Sequence, residues 1–148
     1  MSSTPSFQPP SSAERLFNRM FGFVVSLGLG PAYMYQLEVR GRKTGRIFST
    51  PVSLVELDGK RFLVAPRGRT QWVRNAEAAG EVNLKKGSNR RNYRLRVLPD
   101  TEKPEILRTY LEHFRSAVQR FFPIPAGSPA QDFAPLAGNY PVFELSPQ

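Results

Sequence analysis

The spacing of apolar and polar positions changes several times along the chain, and each change marks an element. Leu16, Met20, Phe23 and Leu27 recur at helical spacing behind Ser11-Ser12-Ala13-Glu14, which has the form of a capping box. Gly28, Gly30 and Pro31 stop that helix. Tyr35 to Arg40 then alternates as a strand, and the glycines of Gly41-Arg42-Lys43-Thr44-Gly45 mark a tight turn into a returning strand over 46–57. Asp58-Gly59 predicts a type I′ hairpin, since both residues tolerate positive φ, with the next strand over 61–65. Gln71 to Ala79 has helical composition and is closed by Gly80. Residues 81–86 and 92–98 form a second hairpin across Gly87-Ser88-Asn89, with Tyr93, Leu95 and Val97 on one face and Arg94 and Arg96 on the other. Thr101 is the expected cap of a longer helix with Pro104 in its first turn and a stripe of Ile106, Leu107, Tyr110, Leu111, Phe114, Val118 and Phe121. Pro123 ends it, a loop runs to Asn139, and residues 142–145 finish as a strand. About six strands with helices at their ends predict a mainly β fold, a small barrel decorated by helices.

A length of 148 residues suits one domain. The proline- and serine-rich residues 1–10 read as a mobile tail and residues 11–148 as the folded unit. The apolar stretch from Phe21 to Leu29 is about half the roughly 20 residues of a spanning helix. No small-residue cleavage site follows it, so the chain is expected in the cytoplasm or peripheral at the inner membrane face. The sequence has no cysteine and a single histidine, which excludes disulfides, thiolate nucleophiles and an ordinary zinc site.

Twenty-one Lys and Arg against 12 Asp and Glu give a formal charge of +9, an excess that attracts anions without saying which. Nucleic acid, acidic lipid and a phosphorylated or carboxylated cofactor all answer to charge alone. Two segments narrow the choice. Arg40 to Arg46 packs cations and a hydroxyl around two glycines, exposing backbone N–H groups and guanidinium forks. Pro66-Arg67-Gly68-Arg69-Thr70 leads from a strand into the helix at Gln71, where free amides and the helix dipole favour a phosphate. It lacks the glycine spacing and Lys-Ser or Lys-Thr end of a true P-loop.

Gly41-Arg42-Lys43-Thr44-Gly45, Pro51-Val52, Leu63-Val64-Ala65-Pro66-Arg67-Gly68 and Gln71-Trp72-Val73-Arg74-Asn75 follow in an order and spacing that resembles the deazaflavin (F420)-dependent nitroreductase and quinone reductase family. The resemblance spans roughly residues 33 to 98. It implies a split β-barrel related to FMN-binding oxidases and hydride transfer from reduced F420 to a hydrophobic, electron-poor acceptor such as a quinone, enone, unsaturated lipid or nitro compound. It implies that Arg42, Lys43 and Arg46, with Pro66, Arg67, Gly68, Arg69 and Thr70, hold the phosphate and acidic glutamyl tail. Thr50, Pro51, Val52 and Ser53 on one side, and Ala65, Trp72 and Val73 on the other, would flank the deazaflavin ring, with Arg74 and Asn75 completing that wall. The chain departs from the nitroreductases at Pro66-Arg67-Gly68-Arg69, where they carry a Ser-Lys-Gly-Gly type of loop. On the substrate side it offers Tyr35 and Tyr140, and Phe133 as a second choice. FMN, which has a phosphate but no glutamyl tail, is the alternative cofactor, and a lipid- or cofactor-binding barrel without turnover is the alternative function. Ser53, Tyr35 and water are candidate proton donors. Monomer and homodimer both fit.

Other residues read more plainly. His113 lies off the apolar stripe of its helix, and Glu56 and Asp58 read as strand and turn carboxylates. Lys85, Lys86, Arg90, Arg91, Arg94 and Arg96 form the densest basic patch, read first as a charged sheet edge and second as an extension of the anionic-tail site. Stacking aromatics are nearly absent from it apart from Tyr93, so nucleic acid is not an expected partner. The aromatic N-terminal helix is a candidate lid over the substrate site, or a peripheral membrane contact with Arg15 and Arg19 toward lipid headgroups.

Overall fold

The computed structural model describes residues 33–148, so the tail and helix expected before Tyr33 lie outside the described residues. Six strands, β1 (Met34–Arg40), β2 (Ile47–Leu57), β3 (Lys60–Val64), β4 (Glu81–Lys86), β5 (Asn89–Val97) and β6 (Val142–Pro147), close into an antiparallel barrel in the order β1-β2-β3-β6-β5-β4. Helix α1 (Gln71–Ala79) follows β3, and α2 (Pro104–Val118) follows β5. Asp58 and Gly59 have φ of 53° and 76°, as the type I′ turn requires. Gly80 takes φ 74° and ends α1 by donating its N–H to the Ala76 carbonyl.

The strand period of two sorts the apolar side chains into two cores. Leu37, Val39, Leu54, Leu63, Val82, Leu84, Phe143 and Leu145 point into the barrel, where Val73 and Ala76 of α1 join them. Val55, Phe62, Val64 and Val142 face outward and pack against Ile106, Leu107, Tyr110, Leu111 and Val118 of α2. β3 is thus buried on both faces, which is why Phe62-Leu63-Val64 reads as an unbroken apolar run rather than an alternation.

The structure departs from the expected elements in five places. Asn89 already belongs to β5 and pairs with Lys86, leaving the shorter Gly87-Ser88 turn. Val97, in phase with inward Tyr93 and Leu95, is exposed at the last residue of β5. Thr101 does not cap α2, since residues 100–102 form a 3-10 turn and Lys103 precedes Pro104 at the first helical position. The buried Lys103 pairs with Asp100 at 2.8 Å and donates to the Ala137 carbonyl at 3.1 Å. The segment expected to be loop up to Asn139 is largely a 3-10 run, Ala130–Asn139, anchored in the outer core by Phe133 and Ala137. β5 pairs with both β4 and β6, so the basic strand is a barrel stave and not a sheet edge.

Candidate functional site

The turn joining β1 to β2 and the first two turns of α1 meet at one mouth of the barrel. Gly41 and Gly45 close the turn through Gly41 N–H to the Arg46 carbonyl at 2.6 Å and Gly45 N–H to the Gly41 carbonyl at 3.0 Å. Gly45 sits at φ 76°, where a side chain is disfavoured. A Cβ on Gly41 would lie 2.6 Å from Phe48 Cε2, so the missing side chain lets the Phe48 ring close over the turn. Asn75 ties the turn to α1. Its Oδ1 accepts from the Arg42 backbone N–H at 3.1 Å and from Arg42 Nη1 at 2.7 Å, and the same Nη1 donates to Gln71 Oε1 at 3.0 Å. Asn75 is 5% exposed, an interior position that an amide occupies only with its hydrogen bonds made.

Between these elements lies a cavity of about 550 Å³ with Val39, Phe48 and Trp72 among its walls and Arg42 and Lys43 at its rim. Ser49, Thr50 and Thr70 add hydroxyls. Thr70 precedes α1 with extended backbone but makes no side-chain capping bond. Its buried Oγ1 has no hydrogen-bond partner. A buried orphan hydroxyl beside free helix amides and two cations is a donor set that suits an anion. Outside the cavity, Arg42 also borders a shallow depression with Arg69, Arg74 and Glu77.

Of the residues predicted for the site, Arg42, Lys43, Thr50, Thr70, Trp72 and Asn75 come together at the cavity. Arg69 and Arg74 lie in the adjoining depression, Arg69 paired with Glu77 at 2.6 Å and Arg74 Nε donating to the Arg69 carbonyl at 3.3 Å. The others are elsewhere. Arg67 stacks over the Phe121 ring at 4.7 Å, and Arg46 over Phe48 at 5.6 Å. Val52, Ala65 and Val73 pack in the barrel core. Pro51 and Ser53 alternate to the other face of β2, and Ser53 Oγ meets Met34 Sδ at 3.0 Å. Pro66 and Gly68 shape the β3–α1 connection, where Gly68 takes φ 84°. Val39, Phe48, Ser49 and Gln71 line the cavity without having been singled out. Alternation from Thr50 points back to Phe48 on the same face of β2, and Gln71 stands one helical turn before Asn75.

The two candidate substrate tyrosines are not at this mouth. Tyr35 lines a depression at the opposite one. Tyr140 is 3% exposed in the outer core, stacked on Phe122 with ring centroids 4.3 Å apart, and its hydroxyl donates to the Phe121 carbonyl. Burial pushes the Tyr140 hydroxyl up to about 12. Phe133 is likewise wholly buried there. Tyr140→Phe is expected to lower unfolding free energy by about 1 kcal/mol through the lost hydrogen bond and to leave ligand binding at the cavity unchanged, as a denaturant melt and a binding titration would show.

A family model described as F420H(2)-dependent quinone reductase matches residues 16–120. No protein of curated function matches the sequence. Among solved structures, the fold is similar to an F420-H2 dependent reductase (FDR-A) at 20% identity and TM-score 0.52, over 78% of this chain and 95% of that one. It is similar to a protein of unknown function from Agrobacterium tumefaciens at 17% identity and TM-score 0.57, over 95% and 59%. A NimC/NimA family protein from Clostridium acetobutylicum shares 14% identity at TM-score 0.52, over 86% and 78%. Among the described residues no helix is long and apolar enough to cross a membrane.

Proposed function

Because the chain belongs to the F420H(2)-dependent quinone reductase family, we propose that the cavity between the β1–β2 turn and α1 seats the cofactor and that the protein reduces a hydrophobic, electron-poor acceptor there. Quinones, enones, unsaturated lipids and nitro compounds share the needed chemistry. The observation that carries this reading is one cavity combining apolar walls with a cationic rim and an orphan hydroxyl. A planar ring with an anionic arm asks for that combination. Arg42, Lys43 and Thr70 would hold the phosphate, Val39, Phe48 and Trp72 would flank the ring, and Arg69 and Arg74 would receive the acidic tail. Bound F420H2 supplies the hydride. The chain supplies orientation, charge compensation and exclusion of water.

Proton supply falls to Ser49, Thr50 or water. Ser53 is engaged with Met34 and Tyr35 is at the other mouth, so neither reaches this cavity.

The test is titration of the full chain with oxidised F420 and separately with FMN, following the emission of Trp72, the single tryptophan. Saturable quenching by F420, weakened by salt and weakened at least tenfold in Arg42→Ala/Lys43→Ala, is expected. Absence of quenching, or tighter binding of FMN, would overturn the assignment.

A further inference from the structure

The basic residues that crowd β4 and β5 are not an extension of the cavity just described. They sit at the other mouth of the barrel. β1 runs from one mouth to the other, and at about 3.3 Å per residue the six steps from Tyr35 to Gly41 separate the two mouths by roughly 20 Å. At the far mouth a depression of about 430 Å³ is walled by Tyr35, Arg61, Lys86, Arg90, Arg91 and Tyr93.

Four of those residues are cations, and among the described residues the carboxylates leave Arg61 and Arg91 largely uncompensated. Glu38 takes Arg90 in a forked pair, at 2.7 and 3.1 Å. Glu56 reaches Arg61 Nε only at 3.5 Å from a side chain that is 68% exposed. Arg61 and Arg91 otherwise meet neutral groups among the described residues. Arg61 Nη1 donates to the Tyr93 hydroxyl at 2.8 Å, and Arg91 lies over the Tyr93 ring at 5.8 Å without a carboxylate partner among the described residues. Lys86 donates to the Met34 carbonyl at 3.0 Å and lies over the Tyr35 ring at 5.3 Å. The Tyr93 phenol and ring therefore hold Arg61 and Arg91 in place without cancelling their charge. The Tyr93 hydroxyl, accepting from Arg61, keeps its own proton to donate.

From this arrangement we propose that the far mouth is a second anion site, taking a compact phosphate-bearing ligand. A tetrahedral phosphate offers several acceptor oxygens in different directions, which suits donors converging from three strands better than a single planar carboxylate does. Inward-facing Tyr35, Leu37 and Val39 separate the two mouths along β1, so the second site fills independently of the first.

The experiment is calorimetric titration of the full chain with inorganic pyrophosphate at matched ionic strength, in an Arg42→Ala/Lys43→Ala background that disables the first mouth. One equivalent of pyrophosphate is expected to bind. Adding Arg61→Gln and Arg91→Gln should weaken binding at least tenfold while circular dichroism and melting show the fold intact. Two results overturn the proposal: no binding in the first background, or binding unchanged by the Arg61 and Arg91 substitutions. Should the added substitutions unfold the barrel, chemical-shift perturbation by pyrophosphate in the Arg42→Ala/Lys43→Ala protein decides. Shifts at Tyr35, Arg61 and Tyr93 support the site, and shifts confined to Thr70 and Trp72 overturn it.

Discussion

Asn75→Ala is expected to weaken F420 binding at least tenfold and to lower stability by about 2 kcal/mol, within the usual range for orphaning a buried donor. One oxygen does two jobs here, accepting the Arg42 backbone N–H and the Arg42 guanidinium. Its removal strands a part-buried amide and releases the guanidinium from the cavity rim. Asn75→Asp separates the two effects. An aspartate keeps both acceptor positions and strengthens the contact by charge, so the melting temperature should hold. It also neutralises Arg42 toward an incoming phosphate, so F420 affinity should still fall about tenfold or more, by the same order as losing one charge-assisted contact. Thermal melts and Trp72 quenching of both variants check this. Wild-type affinity in both would mean that Arg42 does not face the cofactor.

The latch also shows what could be read from sequence and what could not. The turn glycines, the cations of Arg40 to Arg46 and the helix at Gln71 are local signals, set by φ preferences and composition, and the structure has them where expected. That Asn75 would bond Arg42, 33 positions away, is a product of barrel closure, and no local pattern encodes it. The same limit explains the arginines that leave the site. Arg67 and Arg69 are close in sequence, yet the bend at Gly68 turns one toward Phe121 and the other toward Glu77. Tyr140 shows the converse. An aromatic residue near the C-terminus suggests a substrate wall, but the preceding 3-10 run carries it into the outer core, where stacking on Phe122 outweighs exposure.

Charge was legible only as a sum. The excess of +9 says that anions are attracted, and barrel topology decides where. β5 runs from one mouth to the other, so its own arginines diverge. Arg90 and Arg91 stand at the far mouth, while Arg96, nearer the end of the strand, is committed to Glu144 at 2.6 Å and Glu102 at 2.9 Å. A basic run in sequence is thereby divided between the two ends of the barrel, Arg90 paired with Glu38 at one and Arg96 with Glu102 and Glu144 at the other.

Phe143→Ala should be the most destabilising single change, lowering unfolding free energy by about 3–5 kcal/mol. Against the 5–15 kcal/mol typical of a domain this is a large fraction, and a melting temperature lower by on the order of 10–20 °C follows. The ring has no exposed surface, points into the barrel from β6 and is paired in register with Leu63 of β3 and Val97 of β5. A closed barrel has little freedom to collapse around a lost ring, because its staves are hydrogen-bonded on both sides. The Phe143 ring centroid lies 6.0 Å from that of Trp72, so the vacancy opens beneath a wall of the cavity beside α1. Trp72 emission should therefore shift in the folded variant, and F420 binding should weaken along with stability. Val97→Ala is the control, the register partner of Phe143 at the last residue of β5, where the side chain is exposed; it should change stability by no more than about 0.5 kcal/mol. A Phe143→Ala loss as small as that of Val97→Ala would show that the barrel interior is not what holds the fold together.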